Sequence, residues 1–193
     1  KDRQISLGTA PPSEHHNVVI ISVGTPIDEK GQASLEALSD VCAVVAARLR
    51  RGDLVMLRST IPVGTTRGIV REELENGSGL TAGIDYNLAF TPERTVEGNA
   101  MQELSTLPQV VGGYSNACVE RAVGFWQTLT SSVVRADSLE AAELVKLINN
   151  SYRDLSFAFS NGLALLADRY NLDAARVIAT ANEGYPRNPI PRP

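Results

Sequence analysis

The sequence predicts an α/β protein: a parallel sheet wound with helices, followed by an all-helical part built on one long helix. Three observations predict it. The runs Val18-Val19-Ile20-Ile21 and Leu54-Val55-Met56-Leu57 are short and continuously apolar, as strands buried on both faces are. Segments with apolar residues at steps of three and four alternate with them, which is the βαβ order of parallel sheets with right-handed crossovers. After Asp137 the character changes. No Pro interrupts Ser138 to Tyr185, and Leu144, Ile148, Tyr152, Leu155, Phe159, Leu163, Leu166 and Tyr170 recur at helical spacing.

Taken in order, the first strand covers Val18 to Val23 and ends at Gly24-Thr25-Pro26. Ser34 is placed to cap a helix over Leu35 to Arg50, whose apolar face holds Leu38, Val41, Cys42, Val45 and Leu49. The strand Leu54 to Leu57 runs into Arg58-Ser59-Thr60-Ile61-Pro62, and Val63-Gly64-Thr65-Thr66 opens a helix to about Leu74. Gly77-Ser78-Gly79 follows a helix and opens none, so it is a turn rather than a dinucleotide loop. Asn87 to Phe90 forms a third strand, ending at Thr91-Pro92-Glu93-Arg94, and Gln109 to Val111 a short fourth before Gly112-Gly113. A helix over Ala117 to Leu129 and a strand over Ser132 to Arg135 complete the sheet part. Asp137 or Ser138 caps the long helix, which Gly162 weakens by about 1 kcal/mol relative to Ala, and Asp173 caps another through Ala181. The expected organisation is a sheet domain over 1–136 and a helical domain over 137–193.

Composition excludes several classes. Of 193 residues, 43% are hydrophobic and 21% charged, enough apolar material for a core and too much for disorder. A net charge of −4 argues against nucleic acid as a partner, since such surfaces are basic. The longest early apolar run falls far short of the roughly 20 residues of a membrane span. Lys1-Asp2-Arg3-Gln4 leads into no signal-peptide core. A soluble, cytoplasmic protein is expected, without a membrane partner. Cys42 and Cys118 lack any paired spacing and read as buried thiols, and His15-His16 as an exposed pair, so no metal site is expected.

Two constellations bear on chemistry. Polar, Pro-bearing loops follow three strands: Gly24-Thr25-Pro26, Ser59-Thr60-Ile61-Pro62 and Thr91-Pro92-Glu93-Arg94. Ligands of open α/β sheets bind outside the carboxyl ends of strands, although Thr-Pro and Ser-Thr also serve as plain turn formers. On the long helix, Lys146 and Asn150 share a face, with Asn149, Arg153, Ser156 and Ser160 extending a polar stripe. Such a stripe is either a solvated face or the seat of a Lys serving as base or electrostatic stabiliser. The same helix carries Leu147, Phe157 and Leu165 off its main apolar stripe, which favours a subunit interface.

Together these residues resemble the UDP-glucose/GDP-mannose dehydrogenase family. The resemblance runs from Asn17 onward through Val23-Gly24-Thr25-Pro26, Ser59-Thr60-Ile61-Pro62-Val63-Gly64, Thr91-Pro92-Glu93-Arg94 with Glu97-Gly98, and Ala142-Glu143-Leu144-Val145-Lys146-Leu147-Ile148-Asn149-Asn150. The stretch Asn150-Ser151-Tyr152-Arg153-Asp154 with Phe157-Ala158-Phe159-Ser160-Asn161 is most similar to the branch acting on UDP-N-acetylmannosamine. The resemblance implies a partial Rossmann-like sheet, NAD as cofactor, a UDP-sugar substrate and oxidation at C6 to the uronate through an aldehyde and a thioester. It implies catalytic roles for Thr60, Glu93, Lys146 and Asn150. Cofactor contacts would come from Thr25, Pro26, Ser59, Thr60 and Glu97. Substrate contacts would come from Glu93, Arg94, Lys146, Asn150, Arg153 and Arg187. The helix over 138–170 would pair two copies into a homodimer.

The departures are specific. The family's Gly-rich first βαβ unit and its Gly-Gly-x-Cys nucleophile motif would lie outside these residues, and no Gly-x-Gly-x-x-Gly occurs here. Cys42 and Cys118 sit at helix positions and do not replace the nucleophile, and Gly162 stands where many members have Glu. The isolated chain is therefore expected to be inactive. Two other readings stand beside this one: a 6-phosphogluconate or β-hydroxyacid dehydrogenase relative, and a non-catalytic dimerisation module.

Overall fold

A computed structural model of the chain describes residues 7–9, 12, 14–96, 98–187 and 189–191. The chain divides into two units, 1–144 and 145–193. The first is built on five strands, β1 (Val18–Ile21), β2 (Leu54–Leu57), β3 (Asn87–Phe90), β4 (Gln109–Gly113) and β5 (Val133–Arg135), side by side in chain order. Four helices accompany them: α1 (Glu36–Ala46), α2 (Arg71–Ser78), α3 (Ala100–Thr106) and α4 (Asn116–Trp126).

The expected parallel sheet is present with one antiparallel step inside it. β1, β2 and β3 are parallel, and so are β4 and β5, but β4 runs antiparallel to β3. The link between β3 and β4 carries the short α3, which sequence patterning did not anticipate, and it returns the chain at the carboxyl end of β3 instead of carrying it back along the strand. β4 instead turns back beside β3, pairing Gly112 with Phe90 and Gly113 with Ala89. That reversal brings Gln109 to the carboxyl ends of β2 and β3, where its side chain meets Arg58.

β2 is buried along its whole length, as its apolar run predicts. On one face Leu54 and Met56 join Ala89, Val111, Ala122, Val123 and Trp126 in a core completed by α4. Each such Leu contributes about 2 kcal/mol by leaving water. Leu38, Cys42, Val70 and Leu74 are also fully buried, and the Cys42 thiol is pushed up to about 11, by burial first and the Glu73 charge second. Close approach is allowed by bare glycine: a Cβ at Gly113 would lie 2.6 Å from Val119 N.

Local capping differs from expectation at two helices. Ser34 does not cap α1, because the helix starts at Glu36 and the cap position falls to Leu35, while the Ser34 N–H donates to Pro26 O (2.8 Å) in the loop that joins Ile27 to Ala33. The helix expected over Val63 to Leu74 begins as a π-helical turn, Thr66–Val70, and continues as α2 to Ser78, ending at Gly79 with φ +70°. His15 is not merely an exposed loop residue, since its ring Nε2 lies 3.0 Å from an oxygen of buried Asp53.

A fifth helix, α5 (Leu139–Arg169), starts in the first unit with Ser138 Oγ accepting from Ala141 N–H (3.1 Å) and continues through the second. Asn171, at φ +55°, turns the chain into α6 (Ala174–Asn182), which Asp173 caps by accepting from the N–H groups of Ala175 and Arg176. Within the second unit the Pro-bearing tail is tied back: Asn182 donates to Ile190 O (2.8 Å) and accepts from its N–H (2.9 Å). Ser156 and Ser160 spend their hydroxyls on Tyr152 O and Ser156 O within α5, so these two are satisfied locally instead of reaching for a ligand. Tyr152, Leu155, Phe159, Leu166 and Tyr170 are each at least half exposed. Among the described residues no helix is long and apolar enough to cross a membrane.

Candidate active site at the carboxyl end of the sheet

The carboxyl ends of β1 and β2 are fastened by side chains beyond the point where strand pairing stops. Ser59, which is buried, donates to Val23 O (2.7 Å) and accepts from Val23 N–H (2.9 Å). Thr25 Oγ1 donates to Thr60 O. A hydroxyl that serves both backbone groups of one residue substitutes for a missing ladder rung. Gly24, Pro26 and Thr60 stay exposed on these pinned loops, available to a ligand.

The loop after β3 is held by its carboxylate. Glu93 Oε1 accepts from the N–H groups of Arg94 and Thr95, both at 2.8 Å, and Oε2 accepts from Arg58 Nε (3.1 Å) and Nη2. Burial alone would raise the Glu93 pKa, but the Thr95 N–H and the Arg58 guanidinium outweigh it and lower it to about 2. Arg94 is exposed and donates to Pro108 O (3.4 Å). Glu97, expected on the cofactor side, lies outside the described residues.

Glu143 supports the segment after Pro62. Its side chain is fully buried, and its two oxygens accept from Gly64 N–H and Thr66 N–H (2.9 Å). These are backbone donors at the start of a helix, which a carboxylate satisfies well. Nearby, Glu140 pairs with Arg67.

The structure thus gathers Thr25, Pro26, Ser59, Thr60, Glu93 and Arg94 at one end of the sheet. In the second unit, Lys146 and Asn150 occupy successive turns of one α5 face, with Arg153 exposed further along. Arg187 is exposed, its guanidinium 5.7 Å from the Tyr185 ring centroid. Sequence reasoning passed over Arg58, Gln109 and Glu143. The first two carried a signal: a charged or polar residue abutting a continuously apolar strand must find a buried partner. Glu143 carried none, since an acidic residue on a long helix ordinarily faces water.

A largely parallel sheet with polar loops at its carboxyl ends is the architecture of the dinucleotide-binding oxidoreductases. Residues 4–130 match the NAD-binding domain of the UDP-glucose/GDP-mannose dehydrogenase family and residues 140–188 match its central domain. The chain belongs to that family. It is 36% identical over 177 residues to the UDP-N-acetyl-D-mannosamine dehydrogenase of Pyrococcus horikoshii, covering 92% of this chain and 42% of that protein. It is 32% identical to the UDP-N-acetyl-D-glucosamine 6-dehydrogenase of Pseudomonas aeruginosa, covering 86% of this chain and 39% of that one. Among solved structures, the Pyrococcus horikoshii UDP-D-ManNAc dehydrogenase superposes with a TM-score of 0.85 at 35% identity, covering 92% of this chain and 42% of that one. The chain therefore spans less than half the length of each of these relatives.

Proposed function

We propose that this chain forms part of an NAD-dependent dehydrogenase that oxidises C6 of a UDP-linked hexose, UDP-N-acetylmannosamine first, to the uronate. The observation that carries this is the pinned pair of loops after β1 and β2, with Thr60 exposed on it and Glu93 fixed on the next loop. The cofactor fits here in part. Gly24 offers open space where any other residue would place a Cβ, and Thr25 and Ser59 hold the backbone around it. Bound NAD supplies the hydride acceptor. Thr25, Pro26, Ser59 and Thr60 would hold its nicotinamide side, and Glu97 is a further cofactor contact that the family resemblance implies.

The remaining roles belong to this chain's side chains. Thr60 orders a water near the reacting carbon. Glu93, its pKa lowered by the Thr95 N–H and the Arg58 guanidinium, faces the thioester steps as a fixed acceptor. Lys146 stabilises the developing oxyanion, and Asn150 holds the reacting hydroxyl or carbonyl oxygen. An ammonium and an amide aimed at developing negative charge favour the transition state over the ground state. Arg94, Arg153 and Arg187 supply cationic contacts to the sugar nucleotide. The exposed apolar face of α5 packs against a second copy, and the catalytic chain divides functionally into a cofactor part (1–136) and a helical dimerisation part (137–193).

The test is NADH formation at 340 nm over a panel of UDP- and GDP-hexoses. The protein that carries this chain at full length produces NADH best with UDP-N-acetylmannosamine. The isolated 193 residues, which hold no Gly-x-Gly-x-x-Gly turn and no Gly-Gly-x-Cys motif, produce none. NADH from a phosphosugar and from no nucleotide sugar would overturn the proposal.

A further inference from the structure

Arginine is almost never buried without a purpose or a partner, and Arg58 is 5% exposed at the end of β2. Its guanidinium is fixed from three sides. Nε and Nη2 both point to Glu93 Oε2, Nη1 donates to Gln109 Oε1 (3.3 Å), and its carbon lies 4.7 Å from the Trp126 ring centroid. Trp126 belongs to the core under the sheet, and Gln109 is held at this end by the reversal of β4. The arginine is therefore a strut between the rigid core and the loop after β3.

We propose that Arg58 is a positioning residue for the reaction, locking the Glu93 carboxylate in one orientation so that it acts as a fixed acceptor and not as a proton-carrying base. This rests on the assignment of Glu93 to the thioester steps. Both carboxylate oxygens are committed, Oε2 to Arg58 and Oε1 to the N–H groups of Arg94 and Thr95, so the group cannot swing. On the same loop the Arg94 guanidinium donates to Pro108 O (3.4 Å), and Glu103 accepts from Val96 N–H (2.7 Å). Held ionised well below neutrality, Glu93 is a poor proton acceptor but a strong hydrogen-bond acceptor. Such a group orients a water molecule. A Lys at position 58 would keep the charge and lose the planar fork that sets the orientation.

The experiment compares wild type with Arg58→Met and Arg58→Lys in the full-length protein that carries this chain. Glu93 titration is followed by carboxyl carbon NMR, with Glu93→Gln identifying its signal, and kcat and KM are measured across pH. In Arg58→Met the Glu93 titration moves up by about one pH unit or more. There kcat falls roughly tenfold or more, with KM within about threefold of wild type. Arg58→Lys keeps Glu93 ionised, and its kcat falls less. A Glu93 titration that does not move in Arg58→Met overturns the proposal. If Arg58→Met does not fold, Arg58→Lys decides: wild-type kcat overturns the proposal, and a reduced kcat at unchanged KM supports it. A wild-type protein that makes no NADH from any nucleotide sugar defeats the dehydrogenase assignment, while the titration still decides whether Arg58 controls Glu93.

Discussion

The two units solve burial in opposite ways. In the first, β2 is buried along its length and every loop at the carboxyl end of β1 to β3 is tied by a named side chain, Ser59, Thr25, Arg58 or Glu93. In the second, α5 presents Tyr152 at 72%, Leu155 at 67% and Phe159 at 57% exposure. The contrast teaches that the sheet part is finished by its own side chains, whereas the helical part carries apolar surface that only another chain or segment can cover. Rigid loops suit a site that must hold reacting groups within fractions of an ångström, and an uncovered stripe suits assembly.

Four changes would break or sharpen that contrast. The largest effect is expected from Leu155→Asp with Phe159→Asp in the full-length protein. Two charges in the proposed interface dissociate the dimer, weakening association by roughly a thousandfold, read by analytical ultracentrifugation. A dimer that persists would place the interface elsewhere. Next comes Glu143→Gln, which leaves one buried backbone N–H at Gly64 or Thr66 facing a donor in place of a charged acceptor. Urea unfolding should show a loss of about 2 kcal/mol in the sheet unit.

A smaller effect concerns pH. The Glu140 pKa is lowered to about 2, chiefly by its hydrogen bond with Arg67. A lowered carboxylate pKa contributes stability that is full above the unfolded value of about 4.3 and is lost as pH falls towards 2. Melting temperature should therefore drop between pH 5 and 2, and Arg67→Met should make that drop shallower. Parallel curves for the two proteins would remove the pair from the account of stability. The smallest effect is expected at Arg135 and Glu120, an exposed pair on the protein surface. Glu120→Gln should leave the melting curve unchanged, because solvent screens both partners in either state.

Much of this architecture was legible in residue pattern because burial and period decide it locally. The apolar runs of β1 to β3, the long α5 and the Asp173 cap each follow from a few consecutive residues. What escaped depends on tertiary partners. The reversal of β4 shows only in its pairing with β3, and Ser34 misses the cap because α1 starts at Glu36 and leaves that position to Leu35. The candidate site divides the same way. Thr25, Ser59, Thr60, Glu93 and Arg94 stand out as polar loop residues after strands. Arg58, Gln109 and Glu143 gain meaning only from partners that are distant in sequence, up to the pairing of Glu143 with Gly64.

The most direct measurement is a single-turnover trace at 340 nm with UDP-N-acetylmannosamine and NAD, comparing full-length wild type with Lys146→Ala, each verified as a dimer. Lys146 lies on α5, and the pinned loops belong to the sheet unit. The proposal gives Lys146 the developing oxyanion of the first hydride transfer. It predicts NADH from wild type and a loss of roughly a hundredfold or more in the first hydride transfer from Lys146→Ala, with the dimer intact. Wild-type rates from Lys146→Ala would contradict it.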